Sequence, residues 1–206
     1  MSRDYSLDEI GKRLRGEGLT KHERILANDD HCRVGWMIAK VATARVVVDI
    51  GASDGWIANE LALQGHTVFA IERHLKHQQS LAHHYPPMWL FFGDAEDGLR
   101  DLGPLGELST ALLGEVLEHL APQDGNRILA AIGTETLVVT VPNRRSKSYD
   151  NSKRSRWNWP DHKRHFTPST LRQCLDDAGW NVLGGVEPIV GALEDSIWLG
   201  AVCRRA

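Results

Sequence analysis

The chain of 206 residues has little cysteine: Cys32, Cys174 and Cys203 are odd in number, far apart, and form no C-x-x-C pair. That pattern excludes a disulfide framework and offers no zinc-binding spacing, so a reduced, cytoplasmic setting is expected. No apolar run approaches the roughly 20 residues that cross a bilayer, and Met1-Ser2-Arg3-Asp4-Tyr5 leads into no signal-peptide core. Neither sign of charge dominates. The 24 Lys and Arg against 27 Asp and Glu leave a net −3, which argues against a generally basic nucleic-acid binder. Repeats and low-complexity tracts are also lacking. What remains, 42% hydrophobic and 25% charged, is the composition of an ordinary globule, long enough for one domain with a full core or a domain with a short appendage.

Within that composition one stretch stands out, Val46-Val47-Val48-Asp49-Ile50-Gly51-Ala52-Ser53-Asp54-Gly55. A β-branched run drops into a turn with two glycines four apart, and a helical pattern follows from Trp56 to Gly65. Strand, glycine turn and helix N-terminus in that order let a backbone approach a nucleotide-like ligand closely. A second apolar strand, Thr67-Val68-Phe69-Ala70-Ile71, ends in Glu72, placed to accept hydrogen bonds from a ribose diol. A dinucleotide fingerprint would use three glycines, G-x-G-x-x-G, to seat a pyrophosphate. Here Ser53 takes the middle position and no third glycine follows, so a mononucleoside cofactor is expected.

The rest of the chain alternates. Ser6 with Glu9 forms a candidate capping box for a short helix that breaks at Gly16-Glu17-Gly18, and a second helix is expected after Asn28-Asp29-Asp30, where Val34, Met37, Ile38 and Val41 share a face. Beyond Arg45 the pattern predicts a helix over Lys76–His84, a strand over Met88–Phe92, a strand near Thr110–Gly114, a helix over Gln123–Ile132 and a strand over Thr136–Val141. Thr167-Pro168 caps a helix with Leu171, Cys174, Leu175 and Ala178 on one face, stopped by Gly179. Strands near Asn181–Pro188 and Ser196–Cys203 form a closing antiparallel pair. Continuous apolar strands imply burial on both faces of a mostly parallel sheet. The expected organisation is a helical cover over residues 1–44 and one α/β domain over residues 45–206.

Several ordered motifs now resemble the class I S-adenosylmethionine-dependent methyltransferases, in particular the ubiquinone-pathway-like small-molecule group. Asp49, Gly51 and Gly55 match the first motif, with Ser53 where glycine is common; Gly93-Asp94-Ala95 follows the third strand; Gly114-Glu115-Val116-Leu117-Glu118-His119-Leu120 follows the fourth. Val139-Thr140-Val141-Pro142-Asn143 ends the fifth, and His162-Lys163-Arg164-His165-Phe166-Thr167-Pro168 precedes the helix that ends at Ala178-Gly179-Trp180. The resemblance implies a Rossmann-like fold with a seven-stranded, mostly parallel sheet, an antiparallel C-terminal strand and helices on both faces. It implies S-adenosylmethionine as cofactor, with Asp49, Gly51, Ser53 and Gly55 receiving its amino-acid half. Glu72 would meet the ribose and Asp94 the adenine amino group, and Arg73, Ala95 and Glu115 would be further cofactor-binding residues.

Candidate catalytic residues are His119 and His162, since an imidazole near its ordinary pKa can take a proton from an attacking hydroxyl or amine. If a helical turn begins at Glu115, then Glu115, Glu118 and His119 lie at i, i+3 and i+4 and could hold a divalent metal. That arrangement, with a later histidine, resembles the small-RNA 3′-terminal ribose methyltransferases, although Lys163-Arg164-His165-Phe166 replaces the aromatic-rich sequence of that family. The expectation is therefore no metal. Arg144–His165 carries eight Lys and Arg against Asp150 and Asp161, with Tyr149, Trp157 and Trp159 interleaved. Such a loop suits an anionic acceptor, and Asn143, Arg154, Arg156, Trp159, His162 and His165 are the candidate substrate contacts; its alternative is a solvated loop. The leading reading is methyl transfer to an oxygen or nitrogen of a small, anionic metabolite, without membrane insertion. The alternatives are a metal-assisted RNA 3′-terminal ribose 2′-O-methyltransferase and a non-catalytic cofactor-binding scaffold.

Overall fold

Strand β1, Val46–Ile50, is paired on both edges, with Val46 opposite Thr67 on one side and Ser109 on the other, so its hydrogen-bonding capacity is satisfied from both sides. This places it inside the sheet and explains the unbroken Val-Val-Val run. In a computed structural model the chain is described over residues 21–77, 88–147 and 161–206, with the side chains of 21–30 excepted. Helix α1 is Lys21–Lys40, α2 Trp56–Leu63, α3 Ala95–Leu102, α4 Pro122–Ala131 and α5 Pro168–Asp177. The other strands are β2 Thr67–Glu72, β3 Trp89–Phe92, β4 Ser109–Gly114, β5 Thr136–Pro142, β6 Trp180–Pro188 and β7 Trp198–Arg205.

The seven strands form one sheet in the order β3-β2-β1-β4-β5-β7-β6. Strands β1 to β5 run parallel, and β7 runs antiparallel to both β5 and β6, so it is the reversed strand. Alternate side chains divide between the two faces. Val48, Ile50, Leu113 and Val139 pack with Leu99, Leu129, Leu171 and Leu175 of α3, α4 and α5. On the opposite face Val47, Val68, Leu112 and Val138 pack with Met37, Val41, Ala58 and Leu61, the layer of α1 and α2. Helices therefore cover both faces, and the chain reverses between β1 and β4, where open α/β sheets place their ligand crevice. Among the described residues no helix is long and apolar enough to cross a membrane.

Several expectations shift. The helix expected after Asp30 begins at Lys21 and runs through Asn28-Asp29-Asp30 unbroken, because Lys, Glu, Arg, Leu and Ala upstream favour helix and the Asn-Asp-Asp step costs only a few tenths of a kcal/mol per residue. Helix α3 has no counterpart in the sequence reading. Its charged residues outnumber the buried positions Gly98 and Leu99, and Gly98 is small because a Cβ there would lie 2.8 Å from Phe91. The helix expected over Lys76–His84 is described only over residues 75–77, and the N-terminal helix expected between Ser6 and Gly16 lies outside the described residues. At α5 the expected cap is present: Thr167 Oγ1 accepts from the Thr170 amide, and the Thr170 hydroxyl accepts from the Thr167 amide.

Candidate active site

At the end of β1 the chain turns through three left-handed residues, Gly51 (φ 76°), Ser53 (φ 54°) and Gly55 (φ 82°). A side chain at Gly51 would lie 2.7 Å from the Val116 methyl, so the turn presses against the segment after β4. Ser53 occupies the conformation that favours glycine, the physical reason a glycine is common there. The turn is tied to the end of β2. Glu72 accepts from the Ser53 amide at 2.8 Å and from the His74 amide at 2.6 Å, while the Gly51 and Ala52 amides donate to the Ile71 carbonyl.

Asp49 is buried, and its Oδ2 has no hydrogen-bond partner. Burial pushes its carboxyl up to about 7; the Arg33 charge and a backbone amide at Ala58 oppose the rise, and Glu72 adds to it. Asp94 occupies the cap position of α3 without capping the helix, so its exposed carboxylate remains available to a ligand. Its pair with Arg73, 4.0 Å apart and exposed on both sides, contributes little to stability. Ala95 opens α3 beside it. The turn from Gly51 to Gly55 and the end of β2 at Glu72 are thus joined by hydrogen bonds, with Asp49 at the strand end before the turn and the Arg73–Asp94 pair following Glu72 and β3 in the chain.

Arg33 was not among the sequence-predicted site residues. It lies one helical turn before Met37 on the buried stripe of α1, and a cation on an apolar stripe is the signal that could have marked it. Its guanidinium sits 5.1 Å from the Trp198 ring, and its Nη1 would be 3.2 Å from a Cβ at Gly114. From there its charge lowers the pKa of both Asp49 and Glu118.

The far end of the crevice is built by the segment after β4. Glu115 has φ 61°, so no helical turn begins there; a short 3-10 turn spans Leu117–His119 instead. The expected face of Glu115, Glu118 and His119 is accordingly replaced by Glu118, His119 and His162, whose candidate ligand atoms all lie within 4.8 Å of one another. Glu115 stands beside them and accepts from Thr140 Oγ1 at 3.4 Å. The amides of Lys163 and Arg164 both donate to the Glu118 carbonyl, and this strap brings the His162 ring edge-on to His119, with centroids 4.7 Å apart. Glu118 is 1% exposed and neither carboxylate oxygen has a well-formed hydrogen bond; burial drives its pKa up. Burial lowers the pKa of His119, a shift that Asp161 partly offsets.

Asn143, expected as a substrate contact, has a structural task of its own. It is fully buried: Nδ2 donates to the Leu193 and Ser196 carbonyls at 2.6 and 2.8 Å, and Oδ1 accepts from the Arg145 amide. Its side chain clamps the loop before β7 to the end of β5. His165 is exposed on the strap, and Arg154, Arg156 and Trp159 lie outside the described residues.

Solved structures share this fold at low identity. A S-adenosylmethionine-dependent methyltransferase from Archaeoglobus fulgidus matches with a TM-score of 0.66 and 16% identity over 95% of this chain and 98% of that one. Magnesium protoporphyrin IX methyltransferase from Synechocystis PCC 6803, with S-adenosylmethionine bound, matches with a TM-score of 0.63 and 16% identity over 95% and 89%. The 1,6-didemethyltoxoflavin-N1-methyltransferase of Burkholderia thailandensis, with 1,6-didemethyltoxoflavin and S-adenosylhomocysteine bound, gives 0.62 and 16% over 100% and 93%. No curated protein matches the sequence. A family model described as a methyltransferase domain matches residues 12–184, most of the chain. The protein belongs to the methyltransferase-domain family.

Proposed function

We propose that the chain is an S-adenosylmethionine-dependent methyltransferase that methylates an oxygen, or a nitrogen, of a small anionic metabolite. The observation that carries this reading is the unpartnered, buried Asp49 oxygen at the mouth of a left-handed turn in which Gly51 has no room for a side chain. An orphaned carboxylate oxygen in such a cradle fits the ammonium of an amino-acid moiety, and Glu72, already fixed by two backbone amides, fits a ribose diol. Arg33 adds a cation near the same end, suited to the cofactor's carboxylate. When bound, S-adenosylmethionine supplies a methyl group on a sulfonium, an activated leaving group.

The chain's own task is then to hold and orient the nucleophile and to take up the charge it sheds. Glu118, His119 and His162 form the acceptor end of the crevice. His119 is half-buried and its cationic form is disfavoured, so its imidazole stays neutral and able to take up charge. Exposed Arg144, Arg145, Lys163 and His165 flank this end in the sequence and favour an anionic acceptor. Residues 21–40 act as the described part of the cover, because α1 delivers Arg33.

Radiolabelled methyl transfer from S-adenosylmethionine to fractionated extracts tests the acceptor class. Label in small anionic compounds supports the proposal. Label recovered only in RNA, with binding that weakens steeply as salt rises, would favour the ribose alternative. Cofactor binding with no transfer to any fraction would favour the scaffold alternative.

A further inference from the structure

Ser53 holds a backbone conformation that a side chain disfavours. Its φ of 54° lies in the left-handed region, where glycine is at ease and a residue with a Cβ stays only if its surroundings hold it. The serine also brings a hydroxyl that glycine lacks, and that hydroxyl stands 3.4 Å from Nδ1 of His77. Four contacts then close on themselves around Glu72. The Ser53 amide donates to Glu72 Oε2 at 2.8 Å, and the His74 amide donates to Oε1 of the same carboxylate at 2.6 Å. The His77 amide donates to the His74 carbonyl at 2.9 Å, and the His77 ring meets the Ser53 hydroxyl. One ring thus joins the turn after β1, the end of β2 and residues 74–77. The His74 and His77 side chains also meet edge-on, with centroids 6.3 Å apart. Burial and the Lys76 charge lower the pKa of His77 against the opposing pull of Glu72 and Asp54, so the ring facing Ser53 is neutral at pH 7. A neutral imidazole keeps one nitrogen as an acceptor, able to take the serine hydroxyl hydrogen.

We propose that His77 is a positioning residue for the ribose seat: through Ser53 it holds the left-handed turn whose amide fixes Glu72, the carboxylate proposed to meet the cofactor diol. The inference rests on the methyltransferase reading, since Glu72 meets a ribose only there. His77 acts through Ser53 and has no need to touch the ligand. A carboxylate oxygen that accepts one amide keeps a second lone pair, so both oxygens of Glu72 can still take a hydroxyl from the diol. A side chain already oriented loses less freedom when the ligand arrives, which raises affinity without a new contact. This makes one residue's importance depend on another's identity. Glycine adopts a φ near that of Ser53 unaided, so with Ser53→Gly the turn keeps its shape and His77 loses its task.

A double-mutant cycle on the full chain tests this, with the wild type, His77→Ala, Ser53→Gly and the pair titrated calorimetrically. The titrants are S-adenosylmethionine, S-adenosylhomocysteine and 5′-methylthioadenosine, which keeps the ribose and lacks the amino acid. His77→Ala should weaken all three about three- to tenfold, the equivalent of one net hydrogen bond. Ser53→Gly should stay within about threefold of wild type, because the turn keeps its backbone. Adding His77→Ala to Ser53→Gly should then change affinity by less than about twofold. His77→Asn, whose amide stands near the place of the ring Nδ1, should recover most of the loss, a rescue that a purely packing role would not show. Thermal melts show that the variants fold. Equal losses from His77→Ala with and without Ser53→Gly, no loss in either background, or a loss that His77→Asn does not rescue overturns the proposal and leaves the methyltransferase reading standing. Failure of the folded wild-type chain to bind any of the three nucleosides removes that reading and the proposal with it.

Discussion

Glu72 Oε2 accepts a hydrogen bond from the Ser53 amide at 2.8 Å, which locks the end of β2 to the turn after β1. The same carboxylate holds the His74 amide, so the side chain proposed to meet the ribose also fixes the loop around it. Glu72→Ala should therefore weaken S-adenosylmethionine binding by roughly 1.5–3 kcal/mol, the range for hydrogen bonds to a charged group. It should also lower the unfolding midpoint of the cofactor-free protein. Calorimetry and a thermal melt check the two effects; unchanged affinity in a folded variant would remove Glu72 from the cofactor site.

The carboxyl of Asp49 sits at about 7 in the folded chain and near 3.8 when unfolded. Between those values the folded state holds the proton more tightly, so stability falls as pH rises through the window and the burden is absent below it. Asp49→Asn should make the cofactor-free protein more stable at about pH 8, by at most about 4 kcal/mol, and should bring no gain at about pH 4. Wild-type affinity for S-adenosylmethionine should rise from about pH 6 to pH 8 as Asp49 ionises, a dependence that the Asn variant loses. Denaturant titrations at the two extremes read the first effect; equal stability differences at both would contradict the assignment.

Removing the Asn143 side chain leaves the buried Leu193 and Ser196 carbonyls without their donor. Asn143→Ala should cost about 2–4 kcal/mol in urea unfolding, since each unsatisfied buried group costs about 1–3 kcal/mol. A loss confined to acceptor affinity, with stability intact, would place Asn143 in the substrate site and contradict the clamp.

Gly200 of β7 lies under the Trp36 indole, where a Cβ would meet the ring at 2.6 Å. Trp36 is itself held by Glu187, which accepts from its Nε1 at 2.9 Å, and by Lys40, 5.0 Å from the ring centroid. Gly200→Ala should displace α1, destabilise the chain by about 1–3 kcal/mol, and weaken cofactor binding through Arg33. Faster proteolysis within residues 21–40 and a lowered unfolding midpoint would report it; wild-type values for both would show that α1 docks elsewhere.

The turn after β1 and its neighbour at the end of β2, where the cofactor is proposed to sit, were legible in the sequence because their parts are local. A valine run, a two-glycine turn and a strand-end glutamate each announce themselves within a few residues, and the parallel sheet follows from strands without alternation. The acceptor half was only partly legible. His119 and His162 were readable as candidates, but their pairing with Glu118 depends on a strap anchored by backbone bonds between distant segments. A helical turn beginning at Glu115 is one reading of the sequence, because nothing in Gly-Glu-Val announces the left-handed residue that rules it out. Asn143 sits at a strand end facing the crevice in sequence terms, and only the folded loop at Leu193–Ser196 shows where its amide goes. Arg33 acquires a role only once α1 packs across β4 and β7.

In the proposed function the turn from Asp49 to Gly55, tied to Glu72, receives S-adenosylmethionine. Isothermal calorimetry on the purified full chain tests it directly, with S-adenosylmethionine, S-adenosylhomocysteine and NAD as separate titrants. One equivalent of either sulfur nucleoside should bind with micromolar affinity or better, and NAD should not bind. Binding of NAD with none of S-adenosylmethionine would contradict it, as would an absence of binding by a folded chain.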